Sequence, residues 1–304
     1  MNTAPVTAAL IEGSVIAVPP LARDADLHLD HDANRRIIRH LEAGGVTTLL
    51  YGGNAALGHV SLHQYTELLR FLIESAGETT CVIPSFGPGF GQTLDQVEIL
   101  REFAFPTAML LPAREGTTPA GLATGIRRLV DRLGKPVVLY IKHDGFVDVD
   151  TTRRMMADGL ISWIKYAIVR SNQADDVFLK ELVASVGPAL VVSGMGEQPA
   201  LMHAREYQLG GFTSGCVCVA PAQSMAMLAA IKTRDYTRAD ELRQRFAALE
   251  AIRDRVNPVR VLHAAVRLAG IADTGPITPF WSPVPPDEEP GIREAALALL
   301  STEP

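Results

Sequence analysis

The sequence predicts an α/β protein, a (β/α)8 TIM barrel with a C-terminal helical extension. Eight short apolar runs, typical of buried parallel strands, alternate with amphipathic segments that are typical of helices. Three further helical segments follow the eighth run with no strand between them. A chain of 304 residues also has the length of one such barrel.

Each strand is assigned from an apolar run that is rich in β-branched residues and bounded by turn residues. The predicted strands are, in chain order, Ser14–Val18, Thr47–Tyr51, Cys81–Ser85, Ala108–Leu111, Val137–Ile141, Ile161–Lys165, Ala189–Ser193 and Gly211–Val217. Several of the intervening helices begin with a capping residue or a proline. They are predicted at Asp32–Ala43, Leu62–Ser75, Thr93–Glu102, Pro119–Leu133, Asp175–Ser185 and Gln198–Leu209. This order favours right-handed crossovers and a parallel sheet.

The pattern changes after residue 220. Three consecutive helices are predicted there: Pro221–Thr233, Tyr236–Val256 and Pro258–Ala269. We therefore divide the chain into a barrel, residues 1–220, and a helical extension packed on it, residues 221–304. The proline-rich stretch Thr274–Pro290 is interpreted as an ordered strap, because Phe280 and Trp281 are expected to be buried.

Composition and charge limit the kinds of binding partner and the cellular compartment that the sequence predicts. The net charge of −6 argues against a nucleic-acid partner. No apolar run approaches the ~20 residues of a membrane span, and the first residues lack the pattern of a secretory signal. Cys81, Cys216 and Cys218 each lie in an apolar run, so they are interpreted as reduced core residues. The sequence therefore predicts a cytoplasmic protein without a membrane partner.

No cofactor or metal ion is predicted. No glycine-rich dinucleotide motif follows a strand, and no phosphate-binding Gly-Lys-Ser/Thr motif occurs. The histidines do not share a predicted face with carboxylates at the spacing that metal ligation requires.

Lys165 is the most informative residue, because only five lysines occur and this one lies inside an apolar strand. Alternation places it on the same face as Ile161 and Trp163. Burial disfavours the charged amine, and if it lowers the pKa from ~10.4 towards ~7, a useful fraction of the amine is neutral at physiological pH. A neutral amine at physiological pH is what a Schiff-base nucleophile requires. A lysine that reaches solvent from the strand end, or pairs with a carboxylate, is the alternative.

The chemistry of a β/α barrel gathers at the C-terminal ends of its strands. Tyr140 and Lys142 end the fifth strand on one face, with Lys142 nearer the mouth. A phenol at this position can relay a proton to and from an imine-forming carbonyl oxygen. Half-buried packing is the alternative role for Tyr140. Lys142 is the nearest competitor of Lys165 as the nucleophile.

Candidate substrate-binding residues lie in the loops that follow other strands. Gly53 and Asn54 form a small-residue turn whose amides could approach an anion, or they form a plain turn. Arg114, after the fourth strand, offers a bidentate fork for a carboxylate, although an exposed loop arginine is the commoner case. Thr213 lies in the small-residue stretch Gly210–Gly215 of the eighth strand, where a ligand could meet the backbone.

Taken in order, these features resemble the dihydrodipicolinate synthase / N-acetylneuraminate lyase family. The resemblance extends from Ser14 to about Pro283. Five features occur in the family's order. They are the glycine turn after strand two, the strand-five tyrosine, the strand-six lysine, Ser-Gly after strand seven and the sequence Gly-Gly-Phe-Thr-Ser-Gly at strand eight. Asn257–Pro258 and Gly275–Pro276 fall in the family's order as well.

The resemblance implies that Lys165 forms a Schiff base with a 2-keto acid and that Tyr140 relays protons. The family's Gly-Thr-Thr-Gly-Glu after strand two is replaced by Gly52-Gly53-Asn54-Ala55-Ala56, so both threonine hydroxyls are missing. We therefore expect an aldolase or dehydratase that acts on pyruvate or a longer 2-keto sugar acid, and not dihydrodipicolinate synthase proper.

Two other properties are left as expectations. A non-catalytic, 2-keto-acid-binding or regulatory member of the same fold is the alternative to the lyase. The resemblance also implies a homo-oligomer, either a dimer or a tetramer.

Overall fold

Eight parallel strands close into a barrel in chain order, each paired with the next and the last with the first. This computed structural model describes residues 1–301. The strands are β1 (Ile16–Ala17), β2 (Thr48–Tyr51), β3 (Cys81–Phe86), β4 (Met109–Leu110), β5 (Val137–Ile141), β6 (Ile161–Tyr166), β7 (Val191–Ser193) and β8 (Gly211–Ser214). The predicted TIM barrel is confirmed.

A short helix precedes the first strand, one helix follows each strand, and three more follow these. The helices are α1 (Ala8–Gly13), α2 (His31–Ala43), α3 (Leu62–Ser75), α4 (Phe90–Leu100), α5 (Pro119–Leu133), α6 (Val149–Ala157), α7 (Val177–Val186), α8 (Glu197–Tyr207), α9 (Pro221–Lys232), α10 (Tyr236–Arg255), α11 (Pro258–Leu268) and α12 (Glu289–Ser301). The predicted C-terminal helices are confirmed.

Local sequence signals explain where several of these helices begin. The Ser61 side chain accepts from the backbone N–H of Gln64, whose own side chain accepts from the Ser61 N–H, which forms a capping box at α3. Thr118 caps α5 directly before Pro119, a residue well suited to the first helical position. Asp176 caps α7 through the N–H of Leu179.

Three helices were missed by the sequence analysis. The first, α1, has only six residues, too short for a periodic pattern. The buried residues of α6 are Thr151, Thr152 and Met155, so its inner face lacks the apolar stripe that marks a helix. In α12, Pro290 and Gly291 lie in the first turn and disguise the start of the helix.

The predicted strand eight was too long. It ends at Ser214, and Cys216–Cys218 forms a 3-10 helix in place of the strand predicted to Val217. The first and fourth strands are likewise shorter than predicted, because only two residues of each join the barrel ladder.

The expectation that the two strap aromatics are buried was wrong for Phe280, and Trp281 is only half-buried. Thr278 and Val284 are buried, and the Trp281 indole nitrogen donates to Nε2 of His59 at 3.1 Å. Phe280 is 98% exposed, with φ at 72°, so its ring points into solvent instead of the core. The left-handed backbone at Phe280 turns the side chain outward.

The apolar core extends from the barrel into the C-terminal helices. Met227 and Leu228 of α9, Leu242 of α10 and Leu262 of α11 belong to the same buried cluster as the barrel residues. A second cluster joins Cys216 to the inner faces of α10, α11 and α12. The division at residue 220 stays a prediction. In residues 1–301, no helix combines the length and the apolar character needed to cross a bilayer.

Candidate active site

Lys165 projects into the barrel from β6. Its neighbour Tyr166 faces outward and donates its hydroxyl hydrogen to Asp176 at the start of α7, so alternation turns Lys165 to the interior. The residue is 5% exposed. Gly194, directly after β7, makes room for it, because a Cβ added there would lie 3.0 Å from Cγ of Lys165. The predicted face is not confirmed for Ile161, because the pairing of β5 with β6 shifts register between Ile161 and Trp163 and breaks the alternation there.

The buried amine of Lys165 has a pKa lowered to about 7. Desolvation is the largest cause, and the positive charges of Lys142 and Arg253 lower the pKa further. At neutral pH a substantial fraction of the amine is unprotonated and carries the lone pair that a nucleophile needs.

Tyr140 lies beside this amine. The two residues are register partners across β5 and β6, and the Lys165 Nζ is 4.7 Å from the centroid of the Tyr140 ring. The ring is half-buried, and desolvation raises the pKa of the phenol to about 12. The phenol is therefore protonated at neutral pH and can donate a hydrogen bond.

Lys142 and Arg114 form a cationic part of the barrel rim. The Lys142 Nζ lies 5.9 Å from the centroid of the Tyr140 ring, farther than that of Lys165. As a whole residue Lys142 is exposed, but its amine is partly packed, so burial lowers its pKa, and the Arg114 charge lowers it again. Arg114 is exposed in the loop after β4.

The turn after β2 is a 3-10 helix, Gly53–Ala55, with Gly53 exposed and Asn54 half-buried. The Asn54 side-chain amide donates to the carbonyl oxygen of Val18 at 2.8 Å. The Asn54 carbonyl oxygen lies 3.0 Å from Nε2 of His263 on α11. Asn54 is thus held between the end of β1 and the C-terminal helices.

Thr213 is buried in β8, where it pairs in register with Ile16 of β1. The hydroxyl of the next residue, Ser214, donates outward to Glu197 at 2.7 Å. Alternation therefore turns the Thr213 side chain towards the barrel interior. The substrate-binding role of Thr213 stays a prediction.

A buried group of charged residues, which no sequence pattern marks, lies at the same end of the barrel. Glu250 of α10 accepts from the backbone N–H groups of Glu197 and Gln198 at 2.9 and 3.0 Å, which caps α8. Glu197 accepts from the hydroxyls of Ser214 and Ser224. Burial raises the pKa of both glutamates, and the charge of Glu197 raises that of Glu250 further.

Arg253, one turn farther along α10, completes this group. It is 9% exposed, and its positive charge lowers the pKa of Lys165. No sequence pattern marks Arg253, because α10 contains several arginines and only the packing of that helix on the barrel distinguishes the buried one. Asn257–Pro258 was noted in the sequence, and the Pro258 carbonyl oxygen accepts from Arg253 Nε at 3.2 Å.

Two sets of side chains in residues 1–301 bring three possible metal ligands together. Asp24, Asp26 and His28 are exposed. Glu197, Cys216 and Glu250 are buried, but the two carboxylates already accept hydrogen bonds, and burial raises the pKa of the Cys216 thiol well above its usual value. All three cysteines are free and buried, as predicted.

Two cavities lie away from Lys165. One, of about 250 Å³, lies between α4 and α5. The other, of about 70 Å³, lies between α11 and the strap. Neither is lined by Lys165 or Tyr140, so the candidate site is defined by its side chains and by its place in the barrel.

Comparison with known proteins gives matches in structure. No protein-family model matches this sequence, and no curated protein matches it in a sequence search. Dihydrodipicolinate synthase from Bacillus clausii is 18% identical with a TM-score of 0.84, and the alignment covers 96% of this chain and 98% of that one. Sialic acid aldolase from Ruminococcus gnavus is 12% identical with a TM-score of 0.81, covering 95% and 97%.

A third structure is a prophage protein of the dihydrodipicolinic acid synthase family from E. coli K12, solved in complex with pyruvate. It is 18% identical with a TM-score of 0.80, and the alignment covers 94% of this chain and 98% of that one. This chain has the dihydrodipicolinate synthase fold. The resemblance inferred from the residues is confirmed at the level of the fold, including the C-terminal helices.

Within this dihydrodipicolinate synthase fold, the turn after β2 has no hydroxyl of its own. Ala55 and Ala56 are buried. A hydroxyl does lie beside the turn, because Ser85 Oγ of β3 is 3.1 Å from the point where Gly52 would carry a Cβ. Within residues 1–301 this buried Ser85 hydroxyl has no hydrogen-bond partner.

Proposed function

We propose that this chain is a class I lyase that acts on pyruvate or a longer 2-keto acid through a Schiff base on Lys165. The observation that carries the proposal is a buried amine with a pKa of about 7 next to the neutral phenol of Tyr140. The comparisons support it, since one matching structure was solved with pyruvate and another is a catalytic lysine mutant of sialic acid aldolase.

The neutral Lys165 amine adds to the keto carbon, and loss of the carbonyl oxygen as water leaves a protonated imine. The imine accepts the electron pair released when a proton leaves the adjacent carbon, or when the next carbon–carbon bond breaks, which gives an enamine. The enamine can then expel a hydroxyl group as water or take up a proton. Tyr140 donates a proton to the departing oxygen, and the resulting phenolate takes up the proton that leaves the adjacent carbon.

We assign substrate contacts to Gly53, Asn54, Thr213 and Arg114. The first three belong to elements at one side of the mouth, whereas Arg114 lies with Lys142 at the β4–β5 side. This separation favours the keto-acid carboxylate at the Asn54 side and the distal part of a longer substrate at Arg114.

Borohydride trapping tests the proposal. Incubation with pyruvate and with a panel of 2-keto sugar acids, followed by reduction and peptide mass mapping, should give an adduct on Lys165. Lys142→Ala should retain the adduct. An adduct on Lys142 in place of Lys165 would show that the nucleophile is misassigned.

A non-catalytic 2-keto-acid-binding or regulatory protein is the second candidate function. It is favoured by Ala55 and Ala56, which stand where the resemblance places the threonines. Such a protein would be stabilised thermally by a 2-keto acid, yet would release no product from any acid in the panel.

We also propose a cytoplasmic homo-oligomer, either a dimer or a tetramer. Exposed apolar side chains, including Phe90 at 47% and Val177 at 64%, offer surface that association would cover. Light scattering at micromolar concentration should give a mass of at least two chains. A single monomeric species would contradict this expectation.

A further inference from the structure

Arg253 is a buried guanidinium whose hydrogen-bonding capacity is only partly used. Its Nε donates to the Pro258 carbonyl oxygen at 3.2 Å, and its Nη1 lies 3.6 Å from Sγ of Cys216. Within residues 1–301 it forms no ion pair with a carboxylate, and its Nη2 has no hydrogen-bond acceptor. A buried cation with unused donors is costly unless a ligand or another charge satisfies it.

The unused nitrogen points to the mouth of the barrel. A Cβ built on Gly215, the residue directly after β8, would lie 2.7 Å from Arg253 Nη2 and 3.0 Å from Asn54 Nδ2. The two nitrogens therefore lie close together beside Gly215, in room that any side chain at this position would take. Asn54 uses one amide hydrogen for the Val18 carbonyl oxygen, and the second has no acceptor within residues 1–301.

The neighbouring glutamates explain how Arg253 is positioned and do not take up its free donors. Glu250 is occupied by the N–H groups that begin α8, and Glu197 by two serine hydroxyls. Gly196 permits this arrangement, because a Cβ there would overlap a Glu250 carboxylate oxygen. The contact fixes α10 against the barrel and thereby aims Arg253 at Gly215.

We infer that Arg253 Nη2 and Asn54 Nδ2 form an anion subsite at Gly215 that binds the carboxylate of the substrate. The inference rests on the proposed function. In this subsite Arg253 supplies the positive charge that the turn after β2 lacks. A guanidinium and an amide together offer the planar carboxylate charge-assisted hydrogen bonds. The C-terminal helix α10 thus completes a site that the barrel strands only begin.

Trapping on Lys165 with two probes tests the subsite. Pyruvate carries the carboxylate, and pyruvamide carries a neutral amide in its place. For Arg253→Met, the pyruvate concentration needed for half-maximal trapping should rise about tenfold to hundredfold, since one charge-assisted hydrogen bond is lost. The concentration of pyruvamide needed should change little. Arg238→Met, an exposed position on the same helix, should behave as the wild type with both probes.

A second variant leaves every charge in place. In Gly215→Ala the added methyl group would lie 2.7 Å from Arg253 Nη2 and 3.0 Å from Asn54 Nδ2, so it displaces both donors and should also weaken pyruvate binding selectively. If Arg253→Met does not melt cooperatively, Gly215→Ala decides the question. The subsite would be overturned if a folded Arg253→Met variant, or Gly215→Ala, needed the same pyruvate concentration as the wild type for half-maximal trapping.

The failure of the lyase proposal would look different. In that case the wild type would give no adduct on Lys165 with either probe. The subsite would then be tested by thermal stabilisation: pyruvate should stabilise the wild type and should not stabilise Arg253→Met. Equal stabilisation of both proteins, or of neither, would refute the subsite.

Discussion

The Nζ of Lys165 lies 4.7 Å from the ring centroid of Tyr140, its register partner on the adjacent strand. Both side chains face the barrel interior from the C-terminal half of their strands, so the amine and the phenol meet where a β/α barrel binds its substrate. Desolvation acts on them in opposite directions. It lowers the pKa of the amine to about 7 and raises that of the phenol to about 12, so both are largely or wholly neutral at physiological pH.

Lys165→Ala should abolish turnover and the borohydride adduct while the protein stays folded. The substitution removes the nucleophile and also removes a buried amine that is costly to desolvate. Activity assays, adduct mapping and a circular-dichroism melt check these outcomes. Wild-type turnover in Lys165→Ala, combined with its loss in Lys142→Ala, would assign the chemistry to Lys142.

The lowered pKa of Lys165 predicts a pH-dependent contribution to stability. Between about pH 7 and the usual lysine pKa, the unfolded chain binds a proton that the folded chain does not, so this residue makes stability rise with pH. The slope from one such proton is at most roughly 1.4 kcal/mol per pH unit. Urea unfolding of Lys165→Met between pH 7 and 9 should show a shallower rise than the wild type. Identical slopes would mean that the amine is charged when folded.

Lys142→Met should raise the pKa of Lys165, because the Lys142 charge disfavours protonation of its neighbour. The rate at which an amine-reactive reagent labels Lys165, followed by mass spectrometry, should therefore reach its midpoint at a higher pH. Lys180→Met, an exposed position on α7, is the matched control and should leave the midpoint unchanged. A midpoint that does not move in Lys142→Met would show that the Lys142 charge does not contribute to this pKa.

Asn54→Ala and Arg114→Ala should separate the two ends of the substrate. Asn54→Ala removes a donor at the carboxylate, so the KM for the keto acid should rise about tenfold or more. Arg114→Ala should mainly raise the KM for substrates with a longer distal portion and leave pyruvate trapping almost unchanged. If the two variants show the reverse pattern, the carboxylate lies at the β4–β5 side of the mouth.

The sequence by itself determined the barrel and the place of Lys165 inside a buried strand. These follow from short-range patterns: alternation along one strand, strand–helix order along the chain, and the cost of placing a lysine among apolar residues. The expectation that Phe280 is buried was wrong. Apolar character predicts a preference for burial, but it does not predict the left-handed backbone at this residue or the exposed ring.

Only the tertiary structure decided which charges surround Lys165. Glu197 and Glu250 belong to different helices, and Arg253 is one of several arginines on α10, so no local pattern marks any of them. They meet because α10 packs against the start of α8 and the end of β8. Desolvation and electrostatic coupling depend on distances between residues far apart in the chain, and the packing of the C-terminal helices on the barrel sets those distances.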